Sequence, residues 1–154
     1  MPARQAEATE QMDRRAAMAT LAAAPGARLQ ALWRDAGLPE AAQPVRGPET
    51  GLVTLRGRTG GGGDPFNVGE ATVTRATVRL DGRLGHAYAL GTDRDKVRLA
   101  AIADALWQAP EHRPAIEKNI LAPLRAAQQE ADERRQAETA ATKVDFFTMV
   151  RGED

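Results

Sequence analysis

The dipeptide Asp81-Gly82 separates two runs rich in Val, Thr, Leu and Ala, Glu70–Leu80 and Arg83–Leu90, and it constrains the fold more than any other pair in the chain. A two-residue hairpin turn needs positive φ at both central positions, and Asp-Gly tolerates this. Strands joined by such a turn are antiparallel neighbours in one register. Thr77 then faces His86, Arg75 faces Tyr88, and all four side chains share one face of the sheet.

The β texture extends upstream to Gln43, with no helical period and frequent turn residues. Four strands are expected, at about Pro44–Pro48, Gly51–Arg58, Glu70–Leu80 and Arg83–Leu90, forming an antiparallel meander. In the third, Val73 falls on one alternation and Ala76, Val78 and Leu80 on the other, which predicts a bulge near Arg75. The run Gly60-Gly61-Gly62-Gly63 followed by Asp64-Pro65 reads as a hairpin loop or a lid over an anion. No Gly-Lys-Ser or Gly-Lys-Thr follows it, so it is not a P-loop.

Helical patterns flank this region. Residues 5–24 are alanine-rich, with Met12, Met18 and Leu21 as the only bulky apolar side chains. Leu29, Leu32, Trp33 and Ala36 keep the i, i+3, i+4, i+7 spacing of one buried face; Gly37 supplies a left-handed cap and Pro39 stops the helix. Asp93 or Thr92 begins a third helix with Leu99, Ile102, Ala103, Leu106 and Trp107 inward. A fourth starts near Pro114 and buries Ile116, Ile120 and Leu124, with Pro123 kinking or restarting it. The fold class is therefore α+β: a four-stranded antiparallel meander packed with helices over residues 1–124, then a polar helical arm and apolar tail over 125–154.

Composition explains why the tail matters. Of 154 residues, 31 are alanine and only 34 are Leu, Ile, Val, Met, Phe, Trp or Tyr, so the core is thin. From Arg125 to Lys143 the only non-polar residues are alanines, yet Val144-Asp145-Phe146-Phe147-Thr148-Met149-Val150 follows at once. Helices polar on every face usually bridge between bodies. From Arg125 to Thr142, at 1.5 Å per residue, the arm spans about 27 Å as a helix. Burying Phe146, Phe147, Met149 and Val150 would contribute about 6–12 kcal/mol, at about 1.5–3 kcal/mol each. These four are the expected partner-binding residues.

Several chemistries are excluded or weakened. Formal net charge is zero and pI about 6.8, which argues against a nucleic-acid binder. There is no cysteine and no serine, so thiolate and serine nucleophiles, disulfides and cysteine-bound clusters are absent. His86 and His112 cannot alone form a zinc site, and Asp93-Arg94-Asp95 reads either as a magnesium pair or as helix capping. No catalytic, cofactor-binding or metal-binding residue is expected on this chain. No signal peptide or 18-residue apolar run occurs, which predicts a cytoplasmic protein with no membrane contact.

One surface remains chemically interesting. Residues 45–98 hold 9 Arg and Lys against 6 Asp and Glu. The hairpin face with Arg75, His86 and Tyr88, joined by Arg56 or Arg58, is the candidate anion site, since guanidinium forks bind phosphate oxygens in pairs. The alternative is a solvated or partner-facing surface. The chain has 18 Arg against 3 Lys alongside abundant Ala, Gly and Pro, the pattern of a GC-rich genome, so a single arginine is weak evidence by itself.

Three segments carry a resemblance. Glu49-Thr50-Gly51-Leu52, the run Gly69–Leu80 and, above all, Val144-Asp145-Phe146-Phe147-Thr148-Met149-Val150-Arg151-Gly152 closely resemble the PhnG family, the small G subunits of bacterial carbon–phosphorus lyase. The resemblance implies a core complex with H, I and J subunits, the I subunit foremost as partner, that degrades alkylphosphonates. In its first committed step the phosphonate attacks C1′ of the ATP ribose and adenine leaves. ATP is thus a substrate of the complex, with no cofactor on this chain; iron–sulfur chemistry would belong to the J subunit. The resemblance transfers no catalytic residue. The competing expectation is a free-standing homo-oligomeric anion-binding module.

Overall fold

The computed structural model describes residues 2–143. Among these residues five α-helices, α1 (Pro2–Ala23), α2 (Gly26–Ala36), α3 (Arg94–Trp107), α4 (Arg113–Ile116) and α5 (Ala122–Ala141), accompany three strands, β1 (Gln43–Arg58), β2 (Pro65–Leu80) and β3 (Arg83–Leu90). The sheet is antiparallel in the order β1-β2-β3.

Among the described residues the sheet has three strands, not the expected four, because the first two anticipated strands are one, β1. The expected break between Pro48 and Gly51 is absent: the chain runs on through a cis Gly47–Pro48 peptide with Gly47 at φ 65°. Pairing moves from Arg46↔Thr77 to Glu49↔Arg75, so β1 has one more residue than β2 across this interval. β1 pairs on one side only, and an edge strand accommodates proline and bulges.

The bulge expected in β2 near Arg75 is therefore on the opposite strand. β2 keeps continuous register with β3 from Val73↔Leu90 to Leu80↔Arg83. The alternation that seemed to break is completed by Thr74, fully buried between its strand neighbours and satisfied through its hydroxyl, which donates to the Gly91 carbonyl (2.7 Å) and contacts Thr50 Oγ1 (3.0 Å). A polar residue fills a core position that a hydrophobic count overlooks.

The turn at Asp81-Gly82 has φ 48° and 76°, and the register is the one the dipeptide implies: Thr77↔His86 and Arg75↔Tyr88. The glycine run joins β1 to β2 through a 3₁₀ turn, Thr59–Gly61, where Arg58 Nη1 donates to the Gly63 carbonyl (3.1 Å).

Helix α3 lies on one face of the sheet, against β2 and β3, and α1 and α2 pack onto it. Its stripe is as expected, with Leu99, Ile102, Ala103, Leu106 and Trp107 all buried. Asp93 caps it by accepting from the Lys96 N–H (2.9 Å), so the acidic pair at its start serves the helix. Gly37 ends α2 at φ 60°, its N–H on the Arg34 carbonyl (3.1 Å). Trp33, Leu21, Leu29, Ile102, Leu106, Ile116, Ile120 and Leu121 form the centre of the core. Between α4 and α5 runs a π-helical turn, Glu117–Leu121, and helix resumes with Pro123 in its first turn. Beyond Leu124, α5 buries no further side chain.

An ion pair with one buried partner ties three elements together. Asp104, 1% exposed in α3, accepts from Arg14 Nε and Nη2 of α1 (2.7 Å each) and from the His86 backbone N–H of β3 (2.8 Å). The hydrogen bond to Asp104 holds the Arg14 guanidinium above its ordinary pKa, against the effect of burial.

Candidate functional site

The face of the sheet turned away from α3 divides into two halves. Alternation and register place Val53, Leu55, Ala71, Val73 and Leu90 on one half of this face. Leu55 and Leu90 are exposed there, and Leu52, Phe66 and Val68 of the same β1–β2 ribbon are exposed as well. So much bare apolar surface on one ribbon marks an interaction surface in a chain with a thin core.

The other half is polar. Arg75 faces Tyr88 on one side and Glu49 on the other, while Thr77 lies between His86 and Arg46. Arg75, His86 and Tyr88 therefore come together as expected. Arg56 and Arg58 do not join them, because they pair with Asn67 and Pro65 at the far end of β1. Their place is taken by Arg46 and Glu49, which sequence reasoning missed: the bulge at Gly47-Pro48 sets which β1 residues face Arg75, and no turn rule predicts it.

Geometry and charge define this cluster. Arg46 Nε and Arg75 Nε each lie 2.6 Å from Glu49 Oε1, so one carboxylate oxygen bridges two guanidiniums. His86 Nδ1 meets Thr77 Oγ1 at 3.1 Å across the strands. A hollow of about 350 Å³ touches these strand positions but is also lined by Met18 and Ala22 of α1, Ala100 of α3 and the core-facing Ala76, Ala87 and Ala89, so it lies on the helix-packed side of the sheet. Glu49 instead lines an adjoining hollow of about 230 Å³, and Arg75 and Tyr88 line both.

The hydrogen bond from Arg75, and then the charge of Arg46, hold the Glu49 carboxyl below the usual carboxylate range. A carboxyl depressed in the folded state stabilises above its unfolded pKa, and that contribution is lost as pH falls through the folded value. Arg75→Gln is expected to move the Glu49 titration, followed by carboxyl-carbon NMR, back up toward the ordinary value. A midpoint unchanged by the substitution would mean that the bridge does not form in solution.

Among the described residues no group of three or more His, Asp or Glu could hold a metal ion. Among them, too, no helix is long and apolar enough to cross a membrane. The expected partner-binding residues Phe146, Phe147, Met149 and Val150 lie outside the described residues.

Residues 12–152 match the family model described as "Phosphonate metabolism protein PhnG". The chain is also 59% identical over 145 residues, covering 92% of it and 90% of the relative, to a curated protein of Rhizobium meliloti (strain 1021) named "Alpha-D-ribose 1-methylphosphonate 5-triphosphate synthase subunit PhnG". The chain belongs to the PhnG family.

Proposed function

We propose, from membership of the PhnG family, that this chain is an accessory or structural subunit of a cytoplasmic ribose 1-methylphosphonate 5-triphosphate synthase in phosphonate breakdown. It supports transfer of an alkylphosphonate to C1′ of the ATP ribose with release of adenine. The observation that carries this reading is the 59% identity, across nine-tenths of both chains, to a protein named as a subunit of that synthase. Nothing in these comparisons supports the free-standing homo-oligomeric alternative.

Physical features agree with a dependent subunit. The exposed apolar ribbon Leu52, Leu55, Phe66 and Val68 and the solvated α5 arm suit a protein that completes its burial on others. The partners proposed are the H, I and J subunits, foremost the I subunit, with Phe146, Phe147, Met149 and Val150 as the docking residues.

Co-expression with those three subunits, followed by light scattering of the purified species, tests the reading. The full chain is expected to yield one large complex, and a chain ending at Lys143 to bind at least tenfold more weakly or not at all. Equal assembly of the two would dismiss the tail as the docking element. A full chain that ignores all three partners would dismiss the subunit reading itself.

A further inference from the structure

We propose that the outer edge of β1 takes up an extended strand from another polypeptide, one that is apolar along its middle and sets a carboxylate beside Arg56. The open edge follows from the ladder. The Thr72 carbonyl accepts from the Gly91 N–H (2.9 Å), so alternate residues of β2, Thr72 among them, turn their backbone groups toward β3. In an antiparallel sheet the residues between serve the other neighbour, so Ala71 and Val73 bond to their partners Val53 and Gly51 in β1. Thr50, Leu52 and Thr54 then direct N–H and C=O away from β2, where the sheet has no further strand among the described residues.

This edge is regular and unguarded. Pairing runs without a shift from Glu49↔Arg75 to Leu55↔Gly69. Edge strands are ordinarily protected by charges, proline, bulges or short length. From Thr50 to Leu55 there is no charged residue and no proline, and the bulge at Gly47-Pro48 lies before the segment. Both faces are apolar and open here: Leu52 is 63% exposed and Leu55, on the opposite face, 47%. Because β3 ends at Leu90 opposite Val73, the sheet beyond Leu52 is a two-stranded ribbon, which is marginal in water without a third strand or a packed face. An added strand supplies main-chain hydrogen bonds and covers Leu52 and Leu55 together.

Charge selects the occupant. β1 holds three arginines, Arg46, Arg56 and Arg58, against one glutamate, a formal +2, and Glu49 already bridges Arg46 and Arg75. Arg56 makes no hydrogen bond or ion pair among the described residues. A strand added beside β1 lies about 4.8 Å from it. The ribbon's carboxylates, Asp64 and Glu70, sit just before and in β2, one strand-spacing farther off. A second copy of β1 would set +2 against +2 across the new edge, and facing like charges are destabilising. A strand with Asp or Glu beside Arg56 meets the unpaired cation instead.

The inference rests on the function proposed above, because the other polypeptide is sought in the co-expressed assembly with the H, I and J subunits. Amide hydrogen exchange followed by mass spectrometry compares the full-length chain alone with that assembly. Residues 50–56 are expected to exchange at least tenfold more slowly in the assembly. Thr54→Pro removes an outward N–H while sparing the bonds of Val53 and Leu55 to β2, and should weaken assembly at least tenfold with the chain's thermal melt kept within a few degrees. Should Thr54→Pro not fold, Arg56→Glu is the second variant, also weakened at least tenfold, with Arg56→Lys within threefold of wild type. Glu70→Pro, whose N–H turns to the other side of β2, is the control and should assemble like wild type.

Assembly with residues 50–56 exchanging as fast as in the lone chain overturns the inference and leaves the subunit reading standing. Equal loss in Glu70→Pro overturns it too. So does a dimeric lone chain with residues 50–56 already protected, which would make a second copy the occupant. Failure of the full chain to assemble at all removes the subunit reading, and the inference falls with it.

Discussion

Gly85→Ala is expected to destabilise the chain by about 3 kcal/mol, the upper end of what overpacking a close-packed interior costs. Gly85 sits in β3 opposite Val78, and a Cβ there would lie 1.9 Å from the Ala101 carbonyl oxygen, 2.7 Å from the Ala105 nitrogen and 2.9 Å from the Ala105 Cβ. Two of these are backbone atoms of α3, so no rotamer relieves the overlap. The helix must lift from the sheet by more than an ångström, withdrawing Ile102 and Leu106 from their packing. Urea unfolding monitored by circular dichroism reads the loss. Gly51→Ala, where an added Cβ meets nothing within 4 Å, is the control and should stay within about 0.5 kcal/mol. A loss below about 1 kcal/mol for Gly85→Ala would mean that α3 and β3 are further apart in solution than described.

Asp104→Ala is the second large loss, expected at about 2–4 kcal/mol. Breaking a buried ion pair by removing one partner typically costs about 3–5 kcal/mol, but the Arg14 side chain is 36% exposed and water would take over part of its solvation. The His86 N–H loses its acceptor in the same step. Asp104→Asn keeps an acceptor oxygen and should cost less than the alanine variant. If the two substitutions were equal and both below about 0.5 kcal/mol, the three-way junction would contribute nothing to stability. Because His86 follows Gly85 and is anchored to Asp104, both changes should also disturb the polar face on which Arg75 and Tyr88 lie.

Which features could be read from residues alone follows from how local their causes are. The Asp81-Gly82 turn is a two-residue problem, and solving it aligned Arg75 with Tyr88 and Thr77 with His86 across the whole hairpin. The end of α2 at Gly37 and the cap at Asp93 are equally local. The expected break after Pro48 failed because on the edge strand β1 a Gly-Pro pair makes a bulge and the strand goes on. That one misreading split β1 in two and removed Arg46 and Glu49 from the candidate site. Asp104 left a signal that went unused: a lone carboxylate among Ala100, Ala101, Ala103 and Ala105, in the middle of an otherwise apolar stretch of helix. Its partner, however, is 90 residues away, beyond any local rule.

That separation orders events at the ribosome. Arg14 is made before its anchor, which follows 90 residues later. At about 5–20 residues per second this is a wait of roughly 5–18 s. During it α1 has only its own weak apolar stripe to hold it, so a helix made well before α3 settles only once α3 has followed.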